Sequence, residues 1–220
     1  MDGFTAENLS LSHTLAQALL LEFAFPHEIL PLLKKYVEKL GETLDPEVYE
    51  RIADGIWIAK NATVSPTAYI CAPCIIGENT EIRHCAYVRG SVIIGNDCVI
   101  GNSTEVKNSV IFDGVQIPHY NYIGDSILGY KAHLGAGAIT SNVKSDRSAV
   151  NIDYGKAKMT TDRKKLGAII GDGVEVGCNT VLNPGTVIGR YARVYPLSSV
   201  RGYVPAASIY KSKNDITDIL

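Results

Sequence analysis

The sequence carries no excess of charge of either sign: 21 lysines and arginines stand against 23 aspartates and glutamates, a formal net charge of −2. That balance excludes the global basic field of a nucleic-acid binder or of a protein held on an anionic membrane. Long apolar runs are missing too. The most apolar stretch, Leu15 to Phe25 (LAQALLLEFAF), is interrupted by Gln17 and Glu22 and is too short to span a bilayer. The start, MDGFTAENLSLSH, has no basic leader followed by an apolar core, so no secretory signal is expected. Cysteine is scarce: five residues, odd in number and scattered, which fits reduced thiols in a cytoplasmic setting. Cys71 and Cys74 form a lone CxxC without partner ligands, and no metal site is expected.

What is present divides into two textures. Residues 1–54 read as helices. Ser12 is placed to cap a helix over about 13–24 that Pro26 stops. A second helix is expected over about 27–40, with Ile29, Leu30, Leu32, Leu33, Val37 and Leu40 as its apolar stripe, and a third, short one after Asp45-Pro46.

From Ile58 onward the period is six. Aliphatic residues fall at Ile58, Val64, Ile70, Ile76, Ile82, Val88, Ile94, Ile100 and Val106. After five-residue steps they continue at Ile111, Ile117 and Ile123, then at Leu128, Leu134 and, more weakly, Thr140. The pattern resumes at Ile170, Val176, Leu182, Ile188, Val194 and Val200. Small residues such as Ala62, Cys74, Thr80, Ala86, Cys98 and Ala192 precede most anchors by two, and glycine often follows them, as at Gly77, Gly95 and Gly101. Self-similarity at a fixed period marks a solenoid. In each hexad the anchor points inward, the small residue fits the corner, and glycine relieves crowding. Three hexads close one triangular coil, so the 21 hexads give about seven coils. At a sheet spacing of roughly 4.8 Å per coil the prism is about 34 Å long.

The expected organisation is therefore an all-β solenoid over 55–204, with residues 1–54 and 205–220 capping its two ends. One insertion, about Val143 to Lys165, is too long for a corner turn. It holds seven basic residues against three aspartates, a net charge of +4, and that excess points to an anionic ligand.

One polar cluster interrupts the aliphatic pattern: IPHYNYIGDSILGYKAHLGAGAITSN, residues 117–142. His119 lies two residues past the anchor Ile117, on the outer face. The hexads resemble the hexapeptide-repeat left-handed parallel β-helix, and the handedness comes from that resemblance. PHYNYIGDS followed by LGAGAITSN is similar to the acetyltransferase half of the bifunctional glucosamine-1-phosphate N-acetyltransferase / N-acetylglucosamine-1-phosphate uridylyltransferase family, whose segment reads GHLxYxGDx…GAGTxTxN. The archaeal sugar-1-phosphate versions resemble it most.

The resemblance implies an acetyl-CoA-dependent N-acetyltransferase acting on an amino-sugar 1-phosphate, assembled as a cytoplasmic homotrimer. His119 would be the general base, since a neutral imidazole can accept the amine's proton as it attacks the thioester. Arg89 and Lys107 would bind phosphate, and Tyr122, Asn142 and His133 would line the sugar site. Ala136, Cys178, Pro196 and Lys211 would follow acetyl-CoA. Backbone N–H groups at Leu134 to Gly137 are candidate donors to the developing oxyanion. The departures are Pro118 for the family's glycine, His133 for a sugar-contacting asparagine, Cys178 for serine, Pro196 for alanine, Lys211 for arginine, and Ser148 and Asn151 where relatives carry lysines. The Gly-rich signature of the uridylyltransferase half is not found in residues 1–54, so that activity is not expected of this chain. Two other readings stay open: a trimer that only binds sugar phosphates or nucleotides, and an acyltransferase for another small acceptor. A zinc carbonic-anhydrase-like site using His84 and His119 would need its third ligand at Gly124, and is set aside.

Overall fold

The computed structural model describes residues 3–219. Its hexads wind into a left-handed parallel β-helix, and the period of six gives it three flat faces. Two faces hold nine strands and the third seven. Seven coils are complete; the two longer faces each gain an eighth parallel strand and one antiparallel strand at an end. The solenoid thus exceeds the expected seven coils because Tyr203–Val204 and Ser208–Ser212, expected to lie in or border the closing tail, continue the winding.

Within a face the strands stack in strict register. On the first face Ile58 lies over Ile76, Ile76 over Ile94, and Ile94 over Ile111, and Leu128, Ile170, Ile188 and Val204 follow. These anchors fill the prism interior, and Ile76, Ile94, Ile111, Leu128, Ile170 and Ile188 are completely buried. Each fully buried aliphatic side chain contributes about 1.5–3 kcal/mol. Polar small residues at the inner corners are satisfied by the neighbouring coil: Thr80 donates its hydroxyl to Gly95 O at 2.7 Å.

The post-anchor glycines act by close approach. A Cβ on Gly101 would lie 1.6 Å from Pro118 O, in the coil above. Left-handed backbone at the corners falls instead to residues such as Asn79, Asp97, Asn108 and Asp125, with φ of 44–56°. Asn and Asp tolerate that region best among residues with a Cβ.

The N-terminal region differs from expectation. Among the described residues, helix forms there only at Phe4–Asn8, Gln17–Leu21 and Leu33–Gly41, with 3₁₀ turns at Leu11–His13 and Pro26–Ile29. Ser12 sits inside a turn and caps nothing. The carbonyl of His13, which a helix through that residue would offer to Gln17, accepts the N–H of Asp113 at 3.0 Å. The segment after Asp45-Pro46 makes one turn and becomes the strand Tyr49–Ala53, antiparallel to Ile56–Ala59. That strand covers the exposed edge of the first coil, where an unpaired strand would invite another chain. Asp215–Asp218 does the same at the other end, pairing antiparallel with Ser208–Ser212.

The rest of the N-terminal region runs lengthwise rather than forming an end cap. Asn8 and Ser10 bond to Asp172 and Arg190 of late coils, His13 stacks on Tyr130 at 3.7 Å, and Leu33–Gly41 packs on the strands at Cys74–Ile76 and Val92–Ile94. The reason is the outward row of the first face. Trp57, Ile75, Ile93, Val110, Ile127, Ile169 and Val187 all point away from the prism, yet all are buried. A row apolar on both sides must be covered. The N-terminal segment covers its early part, and the insertion covers its end.

The insertion folds as an antiparallel hairpin, Asn151–Asp153 with Lys158–Thr160, lying on the strand Thr186–Ile188. Its Tyr154 is buried against Phe4 and Phe25, at ring-centroid distances of 5.1 and 5.0 Å. The Tyr154 hydroxyl lies 2.8 Å from His27 Nδ1. Hairpin and N-terminal segment therefore share one small aromatic core.

Candidate functional site

Two columns of outward residues border the third face, one along each edge. The edge shared with the second face carries His119. It ends the strand Gln116–His119, where it lies in register with Asn102 below. Above it come Ala136, Cys178 and Pro196, one per coil. The N–H groups of Gly137, Asn179 and Leu197 bond in turn to the carbonyls of His119, Ala136 and Cys178, at 2.8–3.0 Å. Lys211 stands beside the top of the column on Ser208–Ser212, with Nζ 3.7 Å from Asp215. Four residues assigned to one elongated ligand thus fall along one edge that starts at the proposed base.

The imidazole of His119 is exposed, while its backbone is held firmly. Its N–H donates to Asn121 Oδ1 at 3.0 Å, and the buried Asn121 amide donates to Gly135 O and Ala138 O at 2.8 and 3.0 Å. Asn121 therefore ties the His119 corner to the coil above. The N–H groups of Gly135 and Gly137 are spent on Val176 O and His119 O, at 2.7 and 3.0 Å. They are withdrawn from the oxyanion role expected for the Leu134–Gly137 corner.

The opposite edge, shared with the first face, gathers Arg89, Lys107, Tyr122 and Asn142. Lys107 lies in register with Gly124, and Arg89 is one coil below. Neither cation is bare. Arg89 Nη1 donates to Glu105 Oε1 at 2.8 Å, and that hydrogen bond favours the charged guanidinium. Lys107 Nζ bonds Asp125 Oδ2 at 3.0 Å. Asp125, buried in the same corner, also accepts from Asn108 Nδ2 at 2.7 Å and from Asn142 Nδ2. Burial pushes its carboxyl up, but the hydrogen bonds from Asn108, Lys107 and Asn142 outweigh it and hold the group below the ordinary carboxylate range. The Tyr122 hydroxyl lies beside Asn142. Burial, reinforced by the charges of Asp125 and Glu105, raises its pKa and keeps it protonated. Gly124 leaves room for it: a Cβ there would lie 2.5 Å from the hydroxyl oxygen.

His133 is not brought to this group. It lies on the second face in register with Gln116 and Glu175, and its Nδ1 is 2.7 Å from Glu175 Oε2. In the insertion, Lys156 is paired with Glu7 at 2.8 Å, and Arg163 is half-buried, its charge disfavoured by burial and supported by Asp125. Lys164 and Lys165 are exposed. Lys144 and Lys158 join Arg201 around a groove of about 500 Å³ under the hairpin. Ser148 bonds to Asp146, and Asn151 pairs with Thr160 in the hairpin. Sequence reasoning missed Glu105, Asn108 and Asn121. Glu105 and Asn108 precede or follow Val106 by one or two residues, and Asn121 lies inside the quoted motif; their spacing of one coil from Arg89, Asp125 and Ala138 was the available signal. Among the described residues there is no cluster of three metal-ligating side chains, and no helix is long and apolar enough to cross a membrane.

A hexapeptide-repeat β-helix with polar columns along both edges of one face defines the class. The chain belongs to the GMPPB C-terminal domain family, whose sequence model matches residues 70–190. Over 161 residues it is 36% identical to a bifunctional sugar-1-phosphate nucleotidylyltransferase/acetyltransferase of Sulfurisphaera tokodaii, an alignment covering 73% of this chain and 40% of that protein. It is 36% identical over 171 residues to the bifunctional protein GlmU of Caldanaerobacter subterraneus subsp. tengcongensis, covering 78% of this chain and 33% of that one. The chain thus spans well under half the length of these relatives. Among solved structures, the UDP-N-acetylglucosamine O-acyltransferase LpxA of Moraxella catarrhalis aligns with a TM-score of 0.47 and 16% identity, over 74% of this chain and 72% of that one.

Proposed function

We propose that this protein is an acetyl-CoA-dependent acyltransferase that acetylates the amino group of an amino-sugar 1-phosphate, glucosamine-1-phosphate or galactosamine-1-phosphate. The observation that carries the reading is the pair of columns: His119 leads the Ala136–Cys178–Pro196 edge, and Arg89, Lys107, Tyr122 and Asn142 line the other edge of the same face. Two of the relatives are named for both nucleotidyl transfer and acetyl transfer or as GlmU, and the region matched here lies in each within a longer chain.

In this mechanism the acetyl-CoA thioester lies along the first edge with its carbonyl carbon beside His119. The sugar phosphate is held at the second edge by Arg89 and Lys107, each keeping donors beyond its carboxylate partner. His119 takes a proton from the amine nitrogen as that nitrogen attacks the carbonyl carbon. The C–N bond forms, the C–S bond breaks, and the coenzyme thiolate leaves and accepts the proton from the imidazolium. The two edges face each other across a flat sheet, so an enclosed cleft requires a second copy packed on it; a homotrimer of prisms is the assembly proposed.

The test is release of free coenzyme A thiol with glucosamine-1-phosphate and with glucose-1-phosphate, which offers a hydroxyl in place of the amine. Turnover with the amine alone supports N-acetyl transfer. Binding of both sugars without thiol release would turn the reading to a non-catalytic sugar-phosphate binder.

A further inference from the structure

Asp125 is 3% exposed and accepts hydrogen bonds from three side chains. All three of these donors are side chains rather than backbone N–H groups. Here two of the three donors, Lys107 and Asn142, are residues placed at the acceptor end of the site, and they come from the coils below and above. The backbone of Asp125 is fixed as well: its N–H donates to Lys107 O at 3.1 Å, and its carbonyl accepts from Gly167 N–H at 2.9 Å. Asn142 is held likewise, its carbonyl accepting from Leu166 N–H at 3.0 Å.

From this geometry we infer that Asp125 is the positioning residue of the acceptor site, orienting Lys107 and Asn142 together for an acceptor that presents an anionic oxygen beside a hydrogen-bond donor. The inference rests on the function proposed above. Only the NH₂ end of an amide can face a carboxylate, so Asp125 fixes which way Asn142 points. With its NH₂ end committed to Asp125, Asn142 has its Oδ1 left to accept an N–H or O–H of the acceptor. Lys107 keeps two ammonium hydrogens for the anion, and the third anchors it.

Asp125→Asn preserves volume and removes the charge, setting an amide NH₂ among three donors. The expected result is a KM for glucosamine-1-phosphate raised roughly 10–100-fold, the loss expected for charge-assisted hydrogen bonds. The KM for acetyl-CoA stays within about twofold. Inorganic phosphate raises the melting temperature of the wild type and not of the variant, while acetyl-CoA still stabilises both. A merely structural Asp125 would lower the melting temperature and leave both KM values unchanged; that result overturns the inference. Should Asp125→Asn fail to fold, Asn108→Gly suits the local φ of 44° and removes one donor. It is expected to raise the same KM by about 3–10-fold, and an unchanged KM again overturns the inference. If the wild type does not acetylate glucosamine-1-phosphate, the proposed function fails, yet the phosphate shift still judges Asp125. Loss of that shift in Asp125→Asn upholds its role; an equal shift, or none in the wild type, refutes it.

Discussion

Gly101→Ala is a single-methyl perturbation that ties the packing of the coils to the chemistry at His119. The added Cβ would lie 1.6 Å from Pro118 O, 2.0 Å from its carbonyl carbon and 2.3 Å from its Cα. All three atoms belong to the main chain, so no rotamer change relieves the clash. Gly101 itself lies in Val99–Asn102, clamped between Glu81–Ile82 and Gln116–His119. The two backbones must therefore part by about 1.8 Å or more (from 1.6 Å to an ordinary contact of 3.4 Å), so the main chain at 118–119 shifts by about 1 Å even if both coils share the movement. Overpacking of this kind costs about 1–3 kcal/mol, or a fall in Tm of roughly 2–12 °C for a chain of this size. Misplacing a catalytic group by about 1 Å costs on the order of 10²-fold in turnover. Gly95→Ala is the matched control. Its Cβ would meet Asp113 Oδ1 and N at 2.4 and 2.6 Å, at a corner remote from His119. Thermal unfolding should show a lower Tm for both variants, and more so for Gly101→Ala with its closer contacts, while thiol-release kinetics should show kcat falling only in Gly101→Ala. A folded Gly101→Ala with unchanged kcat, or an equal loss of kcat in both variants, would refute the reasoning.

The remaining predictions concern the hairpin and the assembly. His27 has its pKa lowered, first by burial and then by Arg163, against an opposing contribution from Glu28. An unfolded histidine titrates near 6.5, so below that pH the unfolded chain binds a proton that the folded chain refuses. Stability is therefore full above about pH 6.5 and falls as pH drops toward the folded value. Protection factors for amide exchange in the hairpin over 151–160, corrected for the intrinsic pH dependence of exchange, should fall as pH drops below about 6.5 in the wild type; His27→Gln should flatten that dependence, and an unchanged slope would separate His27 from hairpin docking. In solution the protein should sediment with a mass near three times 23.8 kDa; a stable monomer at micromolar concentration would remove the proposed cleft.

Much of the fold is legible in the sequence because a solenoid repeats one local decision. The anchors from Ile58 to Val200 are visible as a period of six, and most of them are the buried stacks of the structure. The site columns are legible for the same reason: Arg89 and Lys107, or Asp125 and Asn142, are one coil apart, so spacing alone brings them together. The lengthwise course of residues 3–41 was a different problem. Its signal lay in the residue just before every third anchor, Ile75, Ile93, Val110, Ile127, Ile169 and Val187, an outward row that stays apolar and needs a cover. The helix boundaries failed because the His13 carbonyl serves Asp113 rather than its own helix. The contact of His27 with Tyr154 joins residues 127 apart through a segment with no period, and no pattern in the chain announces it. His133 carried a family position but not the geometry, since its ring is turned to Glu175 on another face.

The central claim, that His119 is the base of an acetyl transfer, is tested most directly by His119→Ala under saturating acetyl-CoA and glucosamine-1-phosphate. Because the side chain is exposed and its backbone is held by Asn121, Tm should stay within about 1 °C of the wild type, as for surface substitutions generally. Thiol release should fall by roughly 10²–10⁴, the range for loss of a general base, with the KM for acetyl-CoA unchanged. A folded His119→Ala enzyme that turns over at the wild-type rate would contradict the account.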